Sequence, residues 1–522
     1  MSKASQNQLT SIKDAMCADQ TDNTQFDLVI IGGGINGAGI ARDAAGRGYS
    51  VCLVEKNDLA QATSSASTKL IHGGLRYLEH YAFRLVRESL QERSVLQALA
   101  PHIIWPMRFI LPHHNGLRPG WLIRLGLFIY DHLGGRRAVP ASQRLRLKQH
   151  PAGNVLSSHF TTAFAYSDCW VDDSRLVVLN ARDAHQRGAE IKTRTTLVSA
   201  QSADGIWQLS VQTEGGQTQT ITSRLLVNAA GPWAVDVLHR TGQAKNQASL
   251  RLIKGSHLIL DHQLPSEDAF LLQNTDGRIT FMIPYEGRFT LVGTTDVDSD
   301  ISQLDGQLKI SDDEVDYLLS TINSYLHTPV SQKNIVASYA GVRPLYDDGT
   351  GQAAKANRDY HLELDKTAGA PLLSVFGGKL TTYRRLAESA LAKINSAFDQ
   401  NRPSWTANAA LPGGDFTSQN ELLVQLKDRI VDISDEVALR LVRAYGTEVF
   451  TFAGGASCMA DLGEQFGCGL SEAEVRYLIR HEYAHTAEDI LKRRSKLYLH
   501  LSTAQRHQLD LWLAAEQDRQ TG

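Results

Sequence analysis

The sequence predicts an α/β fold followed by a separate all-α segment. Three observations predict it. Residues 26–55 read as strand, glycine turn, helix and strand. Two later apolar runs, around 225–228 and at Leu372–Phe376, also read as strands that close on Gly-containing turns. Beyond the Pro- and Gly-containing stretch LPGGDFTSQN (411–420), only helical periodicity remains. A length of 522 residues allows two or three domains. The expected division is a flexible tail over 1–25, an interleaved main domain over 26–410 and a helical domain over 411–522.

Bulk composition removes several function classes. The chain is 42% hydrophobic and 21% charged, ordinary for a globular protein. Its net charge of −3 gives no field that would call for nucleic acid. Five scattered cysteines, with no CxxC pair, argue against a disulfide framework or a cysteine-only zinc site and suit a reducing compartment. No apolar run reaches the roughly 18 residues of a membrane span. The tail, MSKASQNQLTSIKDAMCADQTDNTQ, has no signal-peptide core and no Arg, so neither a signal nor a transit peptide is expected.

Phe26–Ile31 is the first strand, short and apolar. Gly32-x-Gly34-x-x-Gly37 follows, with Ala41 on the same helix face. The strand Ser50–Val54 ends in Glu55, 23 residues after Gly32. In a Rossmann-like unit the first glycine permits the tight turn, the second admits a pyrophosphate and the third lets the helix lie close to the sheet. The helix N-terminus then faces the phosphates, and the acid accepts a ribose hydroxyl. Asn36, inside the turn, joins the candidate cofactor contacts. An acid at the ribose position speaks against a 2′-phosphate, which leaves FAD or NAD.

An NAD domain would usually continue into a third strand. This chain instead runs into TSSASTKLIHGGLRYLEH (63–80), too polar for an ordinary strand and too rich in Ser and Thr for a good helix. Thr63, Ser64, Ser65, Ser67, Lys69, Leu70 and His72 are candidates to hold a pyrophosphate and run beneath a flavin. LLVNAAGPWA (225–234) would return the backbone to the cofactor at Gly231. The turn after Leu372–Phe376 offers Gly378, Lys379, Leu380 and Thr381, whose N–H groups suit an electron-rich flavin edge. A purely structural strand-turn-helix is the alternative for that last segment.

At this point the chain resembles a known family, the FAD-dependent glycerol-3-phosphate dehydrogenases of aerobic bacterial respiration. IGGGINGAGIARDAAGRG, TSSASTKLIHGGLRYLEH, YSDCWVDDSRL, RLIKGSHLIL, VGTTD, YAGVRPL and FGGKLTTYRRLA resemble that family's segments in order, over about residues 26–520. The N-terminal tail is longer than expected of a bacterial member. The resemblance implies a Rossmann-like FAD-binding domain with a β-sheet substrate region, of the glutathione-reductase/amino-acid-oxidase type. It implies oxidation of sn-glycerol 3-phosphate to dihydroxyacetone phosphate, with electrons passed to membrane quinone. A glycerol-3-phosphate oxidase, or an FAD-dependent amine or amino-acid oxidase, is the alternative. A peripheral location on the cytoplasmic face of the plasma membrane and a homodimer are also expected.

Such a substrate needs cations for its phosphate and a base for its C2 hydroxyl. Arg343 in GVRP and Arg76 in GGLRY suit the phosphate, with Lys379 and Tyr77 beside them. His72 and His257 are the candidate bases, and the sequence does not choose between them. Asp296 in GTTD is a candidate partner for a neighbouring cation. No metal is expected.

Residues 108–148 hold eight Arg or Lys against the single acid Asp131, with Trp121, Leu122, Leu125, Phe128 and Ile129 at roughly helical spacing. This reads as an interfacial membrane anchor. A core-packed helix with a basic solvated face would give the same pattern. His481-Glu482-x-x-His485 matches the zinc-protease pattern but lacks an identifiable third ligand, so it is expected to be coincidental. The C-terminal helices are expected to form either dimer contacts or a cap.

Overall fold

The computed structural model describes residues 25–521 except 115, 136–138, 243–248, 275, 302–307, 348–359 and 368. The expected flexible tail and Cys17 lie outside the described residues, apart from Gln25, which opens the first strand. Arg136 and Arg137 of the basic stretch also lie outside them.

The first of two sheets is built on β1 (Gln25–Ile31), α1 (Ile35–Gly46) and β2 (Val51–Val54). Among the described residues it has eight strands. Its parallel centre runs Leu372–Phe376, Thr218–Asn228, β1, β2 and Glu190–Lys192. Val29, Ile30, Cys52 and Leu226 are fully buried there. Both faces of this parallel centre are covered, one by α1 and its neighbouring helices and the other by the strands Thr195–Ala203 and Ile206–Thr213 with the helix Ala234–Arg240, so its strands are continuous apolar runs rather than alternating ones. α1 packs close because of Gly37: a Cβ there would sit 1.9 Å from the Gly32 carbonyl oxygen. The helices Asp173–Gln186 and Tyr383–Ala397 lie against α1.

The second sheet has ten described strands and is mostly antiparallel. Its longest pair is Ser249–Leu260 against Ile335–Asp347, in a register that sets His257 opposite Tyr339 and Ile253 opposite Arg343. Side chains alternate along a strand. Arg251, Ile253, Gly255 and His257 therefore share one face, together with Gly341 and Arg343 of the partner strand. That face looks onto the cavity between the sheets. Leu258 and Leu260 belong to a buried apolar cluster.

From Gln419 onward the chain is helical, with its own apolar core running from Leu422 to Leu513. Ser418, Ser434 and Ser471 each begin a helix by accepting the backbone N–H three residues on. The helix Glu472–Glu482 ends at Tyr483, which is left-handed with φ 58°. His481 and His485 therefore do not share a helical face, and Glu482 is bound to Arg175 at 2.6 and 2.8 Å. No helix among the described residues is long and apolar enough to cross a membrane.

Candidate active site

A cavity of about 570 Å³ lies between the two sheets. At one end the β1–α1 turn supplies Gly32, Gly34 and Asn36 to its wall, and β2 delivers Glu55 beside them. Glu55 accepts from the Gly33 N–H at 2.6 Å and the Asn57 N–H at 2.8 Å. Burial still pushes its carboxyl above the usual range. A Cβ on Gly34 would meet only Ser64 Oγ, at 3.2 Å, and one on Gly231 would meet nothing within 4 Å. Both positions border the cavity, so the backbone there is left open for a ligand to approach.

The 63–72 segment forms a short 3-10 turn (Thr63–Ser65) and then the strand Leu70–Ile71. Thr63, Ser64, Ser67, Leu70 and His72 line the cavity. Opposite them are Gly378, Lys379, Leu380 and Thr381, and Thr381 Oγ1 receives the His72 N–H at 3.3 Å. His72, Tyr77, His257, Asp296, Arg343 and Lys379 converge on the wall.

Four expected site residues do not line it. Gly37 is enclosed by the packing of α1 on β1. Ser65 Oγ turns back to the Ala62 carbonyl. Lys69 is buried, and its ammonium is held by both oxygens of Asp173, at 2.9 and 3.0 Å. Arg76 is half-buried beside the turn at Gly277, outside the cavity wall.

The electrostatics separate the two histidines. Burial pushes both down, so both imidazoles are neutral at pH 7. Burial holds His257 at about 3, and the nearby cations Lys69 and Arg343 push in the same direction. His257 stacks on Tyr339 with centroids 4.7 Å apart, and its Nε2 lies 3.0 Å from Thr68 Oγ1. His72 has a carboxylate behind it: Asp168 works against the effects of burial, Lys379 and Arg93. Asp168 accepts from Arg93 at 2.6 Å and from the Tyr130 hydroxyl at 2.9 and 2.8 Å. Tyr130 in turn accepts the Gly73 N–H at 2.8 Å, one residue from His72. Arg343 pairs with Asp296 in a charge-assisted hydrogen bond. Lys379 stands over the Tyr77 ring at 4.3 Å.

Whether these residues fit FAD can be tested on their unsatisfied atoms. Asn36 Oδ1, Trp233 Nε1, His257 Nδ1 and Lys379 Nζ are buried, border the cavity and have no hydrogen-bond partner among the described residues. Buried polar atoms are rarely left unpaired, so the wall is built for a polar ligand that reaches from the glycine turn to the histidines. A dinucleotide fits this requirement. Trp233, with Lys56 Nζ 3.9 Å over its ring, and Thr195–Leu197 were missed by the sequence reading. Trp233 belongs to the segment LLVNAAGPWA (225–234), whereas Thr195–Leu197 carry no local signal.

The comparisons agree with this wall. Residues 27–384 match the family of FAD dependent oxidoreductases, and residues 404–510 match the C-terminal domain of alpha-glycerophosphate oxidase. A crystal structure of glycerol-3-phosphate dehydrogenase from Bacillus halodurans, complexed with FAD, superposes with a TM-score of 0.75 at 27% identity and covers 97% of this chain and 93% of its own. The fold and cavity thus define an FAD-dependent oxidoreductase. A glycerol-3-phosphate dehydrogenase of Pseudomonas aeruginosa is 51% identical, covering 94% of this chain and 95% of its own. The aerobic enzyme of that name in Escherichia coli is 46% identical, over 93% and 97%. The D-erythritol 1-phosphate dehydrogenase of Brucella abortus is 48% identical, also over 93% and 97%. The chain belongs to the glycerol-3-phosphate dehydrogenase family.

Proposed function

We propose that this protein oxidises sn-glycerol 3-phosphate at C2 to dihydroxyacetone phosphate and passes the electrons to membrane quinone. What carries this reading is the meeting, on one stretch of cavity wall, of two neutral histidines with the cations Arg343 and Lys379. FAD, when bound, supplies the acceptor for the C2 hydride. Asn36, Glu55, Ser64, Ser67, Gly231, Trp233 and Thr381 hold it, with Thr63, Leu70, Gly378 and Leu380 completing the wall. Arg343 and Lys379 bind the phosphate, and Tyr77 orients it from beneath Lys379. His72 takes the C2 hydroxyl proton on its imidazole, since Asp168 favours the imidazolium. His257 is the poorer base between two cations and acts as a hydrogen-bonding partner of the substrate.

We further propose a peripheral homodimer on the cytoplasmic membrane face. Support for the anchor is the helix Gly120–Leu133, which buries Leu127 and Tyr130 but leaves Trp121, Leu125 and Phe128 exposed at 70%, 47% and 57%. Exposed Arg144, Arg146 and Lys148 follow it in the chain. Arg124 is exposed on the same helix and donates to the Ser142 carbonyl at 3.0 Å. Residues 26–410 as the FAD and substrate domain and 411–522 as a helical domain are part of the same reading, supported by the separate C-terminal core.

The experiment is anaerobic mixing of the purified protein with sn-glycerol 3-phosphate, D-erythritol 1-phosphate and an amino acid in turn, following the visible absorbance of the flavin. Fast bleaching by glycerol 3-phosphate alone supports the reading, and re-oxidation by quinone rather than air selects dehydrogenase over oxidase. The Brucella relative favours D-erythritol 1-phosphate as the second reading. Faster bleaching by that compound would replace the substrate named here.

A further inference from the structure

The loop after β2 forms the cofactor wall with Glu55, Lys56, Asn57 and Gln61. Asp58 sits in the middle of this loop yet does not line the cavity. It is completely buried. A buried carboxylate is tolerated only when it is paired. Its partners come from the far end of the chain. Arg493 Nε donates to Oδ2 at 2.5 Å, and Arg494 makes a two-pronged contact, 2.8 Å to each oxygen. Arg494 is itself fully buried and is fixed by the Glu482 carbonyl at 2.7 Å.

The same C-terminal segment, Asp489–Arg494, holds the loop a second time. Asp489 accepts from Arg194 at 2.8 Å and from the backbone N–H groups of His485 and Thr486, both at 2.9 Å. Arg194 donates its own backbone N–H to the Asn57 carbonyl at 3.0 Å. Just beyond the segment, Lys496 pairs with Asp172 at 2.7 Å. The neighbouring Asp173 accepts the hydroxyl of Ser67, a wall residue, at 2.7 Å.

We infer that the C-terminal helical segment is a clamp on bound FAD, acting through the Asp58–Arg493–Arg494 contact as a set of positioning residues. None of the three borders the cavity, so none touches the cofactor. They act through the loop. Without this pairing, whichever charge remains is left buried and unpaired, and the loop around Asp58 is no longer held in place. A shift of the loop would carry Asn57 away, and with Asn57 the N–H that fixes Glu55. The cost then falls on cofactor binding. Such coupling is reciprocal, so FAD must also tighten the segment.

The test compares two variants that each weaken ionic contacts to the C-terminal helices, fully buried at Asp58 and partly buried at Glu448. Asp58→Asn loosens the clamp. Glu448→Gln weakens the Arg182–Glu448 pair, which is away from the cavity wall. FAD affinity is read by titrating each apoprotein and following flavin fluorescence, with melting temperature measured alongside. Asp58→Asn is expected to weaken FAD binding about tenfold, within the usual range of coupling between sites. Glu448→Gln is expected to keep wild-type affinity whatever it costs in melting temperature. Unchanged affinity in Asp58→Asn, or an equal loss in both variants, overturns the inference. Hydrogen exchange on the unmodified protein decides the matter even if Asp58→Asn does not fold. The amides of Asp489–Arg494 should exchange more slowly once FAD is added to apoprotein, and unchanged exchange overturns the clamp. Neither measurement depends on which substrate the enzyme oxidises.

Discussion

Gly34→Ala separates the cofactor site from the fold. Gly34 has φ −82° and ψ −176°, extended backbone that alanine adopts without strain. The added methyl meets only Ser64 Oγ at 3.2 Å. Alanine replaces glycine at this helix cap, a change worth at most about 1 kcal/mol. The apoprotein should therefore melt close to wild type. The methyl nevertheless occupies the wall where a pyrophosphate must come against the backbone. Forcing such a contact costs about 1–3 kcal/mol, or roughly 5- to 150-fold in affinity. The assay is fluorescence titration of FAD-stripped protein, paired with thermal melting of the same sample. A wild-type dissociation constant for Gly34→Ala would refute the placing of the pyrophosphate at this turn. Gly37→Ala should do the reverse, because its methyl would lie 1.9 Å from the Gly32 carbonyl and drive α1 off the sheet. Its apoprotein should already melt lower.

Three further outcomes are expected. Tyr130→Phe removes the hydroxyl that joins Gly73 to Asp168 behind His72, so anaerobic flavin reduction should slow about tenfold or more while FAD affinity holds, within the usual range for proton-transfer groups. An unchanged rate would remove that network from the mechanism. Burial holds His102 and His257 down at about 3, so protonation favours the unfolded chain, whose histidines titrate near 6.5. Their contribution is complete above about pH 6.5 and is lost as pH falls, at up to about 1.4 kcal/mol per pH unit for each. His102→Gln should therefore flatten the acid limb of a stability–pH curve measured in denaturant. Finally, Trp121→Ser with Phe128→Ser should cut co-sedimentation with anionic vesicles about tenfold or more, and unaltered sedimentation would remove this helix as the anchor.

The sequence by itself determined the first nucleotide-binding unit. Residues 26–55 contain everything that unit needs: two apolar strands, three glycines and an acid at fixed spacing. Those requirements are backbone sterics and hydrogen bonds between near neighbours, so they are visible locally. The alternation that faces Arg251, Ile253, Gly255 and His257 onto one side is equally a local property of strands. Which side would meet the cofactor was decided only when Ser249–Leu260 paired with Ile335–Asp347 across the cavity. The direction of individual charged side chains was likewise a tertiary matter. Lys69 stands in a stretch that reads as wholly cofactor-facing, yet Asp173 captures its ammonium. Arg76 lies off the wall, although Tyr77 beside it faces inward. Glu482 looks like a metal-site acid until Arg175 is seen to occupy it. Asp58 was passed over because its partners lie 435 and 436 residues away. A buried charge must find an opposite charge wherever packing supplies one, and that choice depends on contacts distant in sequence.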